Sequence, residues 1–261
     1  MTTTLTEKHL AAELSDPAKG YVVIKNYFTD IEVDRYRDEC QTFLEVGPVC
    51  YTRINSDTVP DYVHPRSHDR EVRTYRIYQY LHNRHSASTT AFFNKPFALR
   101  NKIEKAWIHD GAYRAERLSF QDYNIVTKYV EDTGYLPRHR DYAGPALYPL
   151  LQSLILLSHT PEDYTGGEFT LFPRSGAPLK LHRDLGVGKG DLLIFDKSLY
   201  HSVDVTRRGR TTNMGRWSVL VGARAPRDTL ARVFMKRALY TPPRYPFTRP
   251  LARLWRLTIP E

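Results

Sequence analysis

A chain of 261 residues, 41% hydrophobic and 26% charged, has the balance of a globular protein with a sizeable core, which excludes a disordered or fibrous one. Its net charge of +9 invites a nucleic-acid reading. Residues 227–261 carry eight basic residues against Asp228 and Glu261, so six of the nine charges sit in that tail and the body is nearly neutral.

Residues 1–18 read as a flexible polar leader. They lack a basic segment running into an apolar stretch, so no secretion signal is expected. Cys40 and Cys50 are too few for a disulfide framework. A reducing, cytoplasmic location follows as the expectation. The run GYVVIKNYF (20–28) is β-rich, and Thr29 with Glu32 has the spacing of a capping box. It opens a helix over 29–45, where Cys40 falls on the apolar side. Residues 46–70 show no periodicity and read as a long functional loop. EVRTYRIYQYLHN (71–83) is strand-like, and a second helix is expected over 95–109, opened by Asn94 and Pro96.

From about residue 115 the texture changes to seven short β-rich runs cut by Gly and Pro, which indicates a β-sandwich or barrel. The longest apolar stretch there, LLQSLILL, is too short to cross a bilayer. Two copies of His-Arg-Asp fall in this half, His139-Arg140-Asp141 and His182-Arg183-Asp184.

In a strand, residues i and i+2 face the same way, so His139 and Asp141 can offer a nitrogen and a carboxylate oxygen to one ion. His201 follows in a β-branched run, SLYHSVDVT. Two His and one carboxylate favour Fe(II) and leave coordination positions open for catalysis. Such a centre needs electrons to reduce O2, and 2-oxoglutarate is a common source. Its far carboxylate needs an anchor, and GRWSVLVG supplies Arg216 and Ser218 on one strand face. An Arg fork to a carboxylate gives charge-assisted bonds worth roughly 1.5–3 kcal/mol each.

The run His-x-Asp, then His, then Arg-x-Ser resembles the Fe(II)/2-oxoglutarate-dependent dioxygenases. The segments between, YTGGEFTLFP, GKGDLLIFD and HSVDVT, are similar to the prolyl-hydroxylase-like branch. The resemblance spans about 115–225, and the opening strand and helix share it. It implies a mainly β fold with flanking helices, a double-stranded β-helix (a jelly roll of cupin-like form). One domain would cover 19–226, with its catalytic core over about 115–226. It implies Fe(II) on His139, Asp141 and His201, the distal carboxylate of 2-oxoglutarate on Arg216 and Ser218, and Tyr129 lining the co-substrate pocket. O2 is the oxidant. A small molecule such as a free amino acid or biosynthetic intermediate is the expected substrate for hydroxylation, desaturation or cyclisation. Arg73 or Arg76 would face its carboxylate.

A lone His-x-Asp is usually a strand end, and the second copy stays so: His182 has no later Arg-x-Ser at a suitable distance and reads as a strand end before a turn. A kinase loop would need motifs that are absent. The glycine pairs Gly166-Gly167 and Gly188-x-Gly190 read as turns. Arg210 and Arg216 are six apart, as in the nucleic-acid demethylase branch, but Asn213 and Gly215 are out of register with it. Hydroxylation of a protein or peptide residue is the alternative, ahead of nucleic-acid repair or a non-catalytic cupin-like binding module. No nucleic acid and no membrane are expected as partners. The tail 227–261 mixes arginines with apolar residues and reads as a basic extension through which subunits could associate.

Overall fold

The computed structural model describes residues 7–16, 18–51, 60–68, 71–107, 120–141, 151–211 and 214–226. The basic tail therefore lies outside the described residues, as does Asn213.

In chain order, helix α1 (Glu7–Ser15) precedes strand β1 (Tyr21–Ile24) and helix α2 (Asp30–Val46). Strands β2 (Tyr62–His68) and β3 (Glu71–Tyr80) form a hairpin, and helix α3 spans Ala87–Trp107. The β half holds β4 (Phe120–Tyr129), β5 (Leu136–His139), β6 (Leu151–Leu156), β7 (Tyr164–Gly166), β8 (Phe169–Phe172) and β9 (Leu179–Lys180). A one-turn helix α4 (Leu181–Leu185) leads to β10 (Leu192–Asp196), β11 (Tyr200–Val203), β12 (Thr206–Arg208) and β13 (Arg216–Pro226).

The strands make a seven-stranded sheet in the order β1-β10-β6-β13-β4-β3-β2 and a four-stranded sheet in the order β5-β11-β8-β9. The pair is the expected jelly roll. Two apolar layers hold it together. Val126, Ile155, Ile194, Trp217, Val219 and Val221 on the outer face of the large sheet pack under the three helices with Leu10, Val33, Tyr36 and Phe92. The inner layer, Leu154, Leu156, Leu193, Phe195, Phe169 and Leu171, joins the two sheets. Each fully buried side chain of this kind stabilises by about 1.5–3 kcal/mol.

The capping box at Thr29 forms as expected: its hydroxyl accepts from the Glu32 amide, and Glu32 accepts from the Thr29 amide. Three expectations change. The leader contains α1, whose Leu10, Ala11 and Leu14 are buried in the outer core. Helix α3 begins at residue 87, eight residues before the expected start, with Pro96 inside it. Ser86 accepts from the Thr89 amide at the helix start, and buried Phe92, Phe93 and Phe97 outweigh the bond that proline removes. Within 46–70, residues 62–68 form strand β2. Pro65 fits there because β2 is the edge of its sheet.

Candidate active site

Strands β5 and β11 pair antiparallel with His139 directly opposite His201. Their ring centroids are 4.2 Å apart. Asp141 follows two residues beyond His139, and its Oδ2 lies 3.6 Å from His201 Nε2. One ligand atom from each of the three residues falls within 4.8 Å of the others, and no other such cluster occurs among the described residues. Bonds of about 2.0–2.2 Å to one ion set neighbouring ligand atoms roughly 3 Å apart, so small rotations close this set around a metal.

The backbone prepares both imidazoles. His139 Nδ1 lies 2.8 Å from the Pro137 carbonyl and His201 Nδ1 lies 3.1 Å from the Leu199 carbonyl. A carbonyl only accepts, so each Nδ1 carries the proton and each Nε2 keeps its lone pair for a metal. His201 is 4% exposed, stacked against Phe169 and met edge-on by Phe195. Burial, then the neighbouring His139, pushes its pKa down against the opposing pull of Asp141. It stays neutral and able to ligate at neutral pH. Asp141 is fixed by Gln152 on β6, whose Nε2 donates to Oδ2 at 2.5 Å.

Arg216 starts β13 opposite Tyr129 on β4, and its guanidinium lies 4.4 Å from the Tyr129 ring. It is 1% exposed and makes no ion pair with a carboxylate among the described residues. Its Nε donates to the Gly167 carbonyl at 2.8 Å, and Nη1 lies 3.4 Å from Ser218 Oγ. A buried guanidinium without a counter-ion is costly, and a carboxylate ligand would remove that cost. Gly167 matters for more than its turn. It has φ +55°, and a Cβ there would meet Arg216 Cδ and Thr206 Oγ1, each at 2.8 Å.

The second copy of the tripeptide takes another role. His182 lies in α4, closed by Gly186 in the left-handed region, instead of ending a strand. Glu168 accepts from its amide and Asp184 from the Lys180 amide, which together fasten this single turn. Its Nδ1 is 2.6 Å from the Val187 carbonyl and so is protonated, and Nε2 accepts from the Tyr164 hydroxyl at 2.7 Å. Burial lowers the His182 pKa and raises that of Tyr164 to about 12. Tyr164 in turn faces Arg216, 6.0 Å from ring centre to guanidinium.

The two arginines expected near a substrate are separated by strand alternation. Arg73 donates to the Thr133 carbonyl, lies 3.8 Å from Glu71 and covers the Tyr135 ring, so it is occupied at the strand end. Arg76 lies opposite Thr127, on the same face as Tyr129. Arg210 is exposed while Arg216 is buried, so the six-residue pair does not form one subsite. Gln152, Gly167 and Tyr164 contact the residues of this site and were missed as functional residues. Only Gln152 left a signal, a lone amide inside an apolar run.

Residues 102–234 match a family of oxygenases described as catalysing oxidative methylation of damaged DNA. The chain belongs to the Fe(II)/2-oxoglutarate-dependent oxygenases. Fe(II) and 2-oxoglutarate are the cofactor and co-substrate of that superfamily, and the donor set of His139, Asp141 and His201 fits the metal. No curated protein sequence matches this oxygenase. Among solved structures it is similar to a Pseudomonas putida prolyl-4-hydroxylase (16% identity, TM-score 0.54, covering 84% of this chain and 99% of that one). It is also similar to the 2-oxoglutarate-dependent epimerase SnoN of nogalamycin biosynthesis (13% identity, TM-score 0.51, covering 85% of each chain). At such identities the likeness concerns the fold. No described helix of the oxygenase is long and apolar enough to cross a membrane.

Proposed function

We propose that this oxygenase couples decarboxylation of 2-oxoglutarate to oxidation of a C–H bond in a small molecule, with hydroxylation, desaturation or ring closure as the outcome. The observation that carries the reading is the pairing of the His139–Asp141–His201 cluster with the buried Arg216, which has no counter-ion among the described residues, between the same two sheets. Bound there, Fe(II) with 2-oxoglutarate and O2 supplies the oxidising power and releases succinate and CO2.

The protein's own groups bind and orient. His139 and His201 present Nε2 because carbonyls hold their Nδ1 protons. Gln152 keeps the Asp141 carboxylate turned toward the imidazoles. Arg216 and Ser218 take the distal carboxylate of the co-substrate, and Tyr129 lines its pocket. Phe169 and Phe195 exclude water around His201. Arg76 is the arginine left to meet a substrate.

A second reading, action on nucleic acid, is favoured by the description of the matching family, which names damaged DNA. The deciding experiment is a screen for substrate-stimulated succinate formation with three libraries: metabolites, peptides and alkylated oligonucleotides. Stimulation by a metabolite supports the proposal. Stimulation by oligonucleotides or peptides alone overturns its substrate class and leaves the reaction class intact.

A further inference from the structure

The register of the large sheet lays its inward side chains out in rows. One row runs Arg66 (β2), Thr74 (β3), Tyr129 (β4), Arg216 (β13). The next runs His64, Arg76, Thr127, Ser218. Arg66 and Arg76 therefore stand at diagonal positions on one face, about 7–8 Å apart at their backbones. They share that face with the anchor proposed for the co-substrate.

Two guanidiniums at this spacing repel, and the electrostatics register it. Arg66 stands exposed on the edge strand, and partial burial first, then the neighbouring Arg76, pushes its pKa down against the opposing pull of Tyr78, Tyr129 and Asp141. Asp141 is the acid among these, and it belongs to the metal cluster. A bound Fe(II) would make the balance more positive still. Neither arginine forms an ion pair among the described residues. Among the described residues Arg76 Nε is buried without a hydrogen-bond partner, and so is the hydroxyl of Thr74, a residue only 2% exposed that lies between Arg66 and Tyr129. Buried donors are rarely left unmade in a folded protein, because each costs about 1–3 kcal/mol. Here two of them share one sheet face with two like charges, and Asp141 of the metal cluster lies within electrostatic reach of Arg66.

We infer that Arg66, Arg76 and Thr74 form an anion subsite that holds a carboxylate or phosphate group of the substrate beside the metal. The inference rests on the proposed function and names its substrate class: an anionic small molecule whose charged group is fixed while a C–H bond near it is presented. Two arginines suit such a group because each fork can donate two parallel bonds to its oxygens.

The test uses the full-length protein with Mn(II) in place of iron, saturating 2-oxoglutarate and no O2. Inorganic phosphate and propionate are the probes, followed by the relaxation that Mn(II) imposes on their 31P and 13C nuclei and by calorimetry. Wild type should bind a probe close to the metal, and the double variant Arg66→Gln/Arg76→Gln should weaken that binding at least ten-fold. Tighter binding of phosphate assigns a phosphoryl group to the substrate, and tighter binding of propionate a carboxylate. The affinity for 2-oxoglutarate is the control. A parallel loss of it in the double variant would give these arginines to the co-substrate and overturn the inference. Equal probe relaxation in variant and wild type, or none in either, would overturn it as well. Wild type that binds the probe through these arginines but takes no 2-oxoglutarate would overturn the proposed function and support the anion subsite. Both substitutions leave the two apolar layers intact, and an unchanged melting temperature checks this.

Discussion

Gln152 donates to the Asp141 carboxylate from a strand whose other inward side chains, Leu154 and Leu156, are apolar. It is the one polar support of the carboxylate among the described residues, and groups that orient a metal ligand typically contribute 10–100-fold in affinity. Gln152→Leu, close in volume, should therefore lower metal affinity by about 10–100-fold with little change in melting temperature. Titration with Mn(II) measures it, and an unchanged dissociation constant would show that Asp141 orients itself.

The two copies of His-Arg-Asp should respond differently to alanine. His139→Ala or His201→Ala leaves two ligands and should abolish metal binding. His182→Ala should keep the metal and hold activity within a few-fold, because His182 touches Tyr164 and the Val187 carbonyl and not the cluster. Metal content of the purified variants separates the copies. Loss of metal from the His182 variant alone would reverse the assignment.

Arg216→Lys preserves charge and removes the planar fork. It also removes the Nε bond to the Gly167 carbonyl. The KM for 2-oxoglutarate should rise more than kcat at saturation falls, since the lost contact serves binding. Succinate release in the absence of a prime substrate suffices to measure both. A constant KM would place the anchor elsewhere, with Arg210 the next to test.

Acid should destabilise the metal-free protein. His201 and His182 both have pKa values depressed mainly by burial, so the unfolded chain binds more protons below the ordinary imidazole value of about 6.5. Their contribution to stability is complete above that value and is lost as pH falls through the lower folded values. With metal chelated, the melting temperature should drop as pH falls below about 6.5, and His201→Asn should flatten the drop. A pH-independent melting temperature would mean that neither imidazole is held neutral.

The capping box of α2, the β runs of the catalytic half and the His139–Asp141 pair were legible in the sequence because each rests on local spacing. Two residues apart on a strand is a statement about one face, and Thr29 with Glu32 is a statement about one turn. Strand β2 was not legible for a physical reason. Its alternate positions His64 and Arg66 are polar and not buried, so the alternation that marks a strand is missing. The start of α3 was hidden in the same way: Pro96 reads as a helix opening, while the phenylalanines on either side of it decide the matter by burial.

The sequence by itself determined the donor types, the iron-and-2-oxoglutarate chemistry they serve and the strands that carry them. Which atoms meet was decided by strand register alone. Pairing β5 with β11 brings His139 to His201 across 61 intervening residues. The β2-β3-β4-β13 register sets Arg66 and Arg76 on the same sheet face as Arg216 and turns Arg73 to the other. A shift of one residue in any of these pairings would reverse the facing of every side chain on the strand. That register is held by apolar layers spread over the whole chain, from Leu10 to Val221.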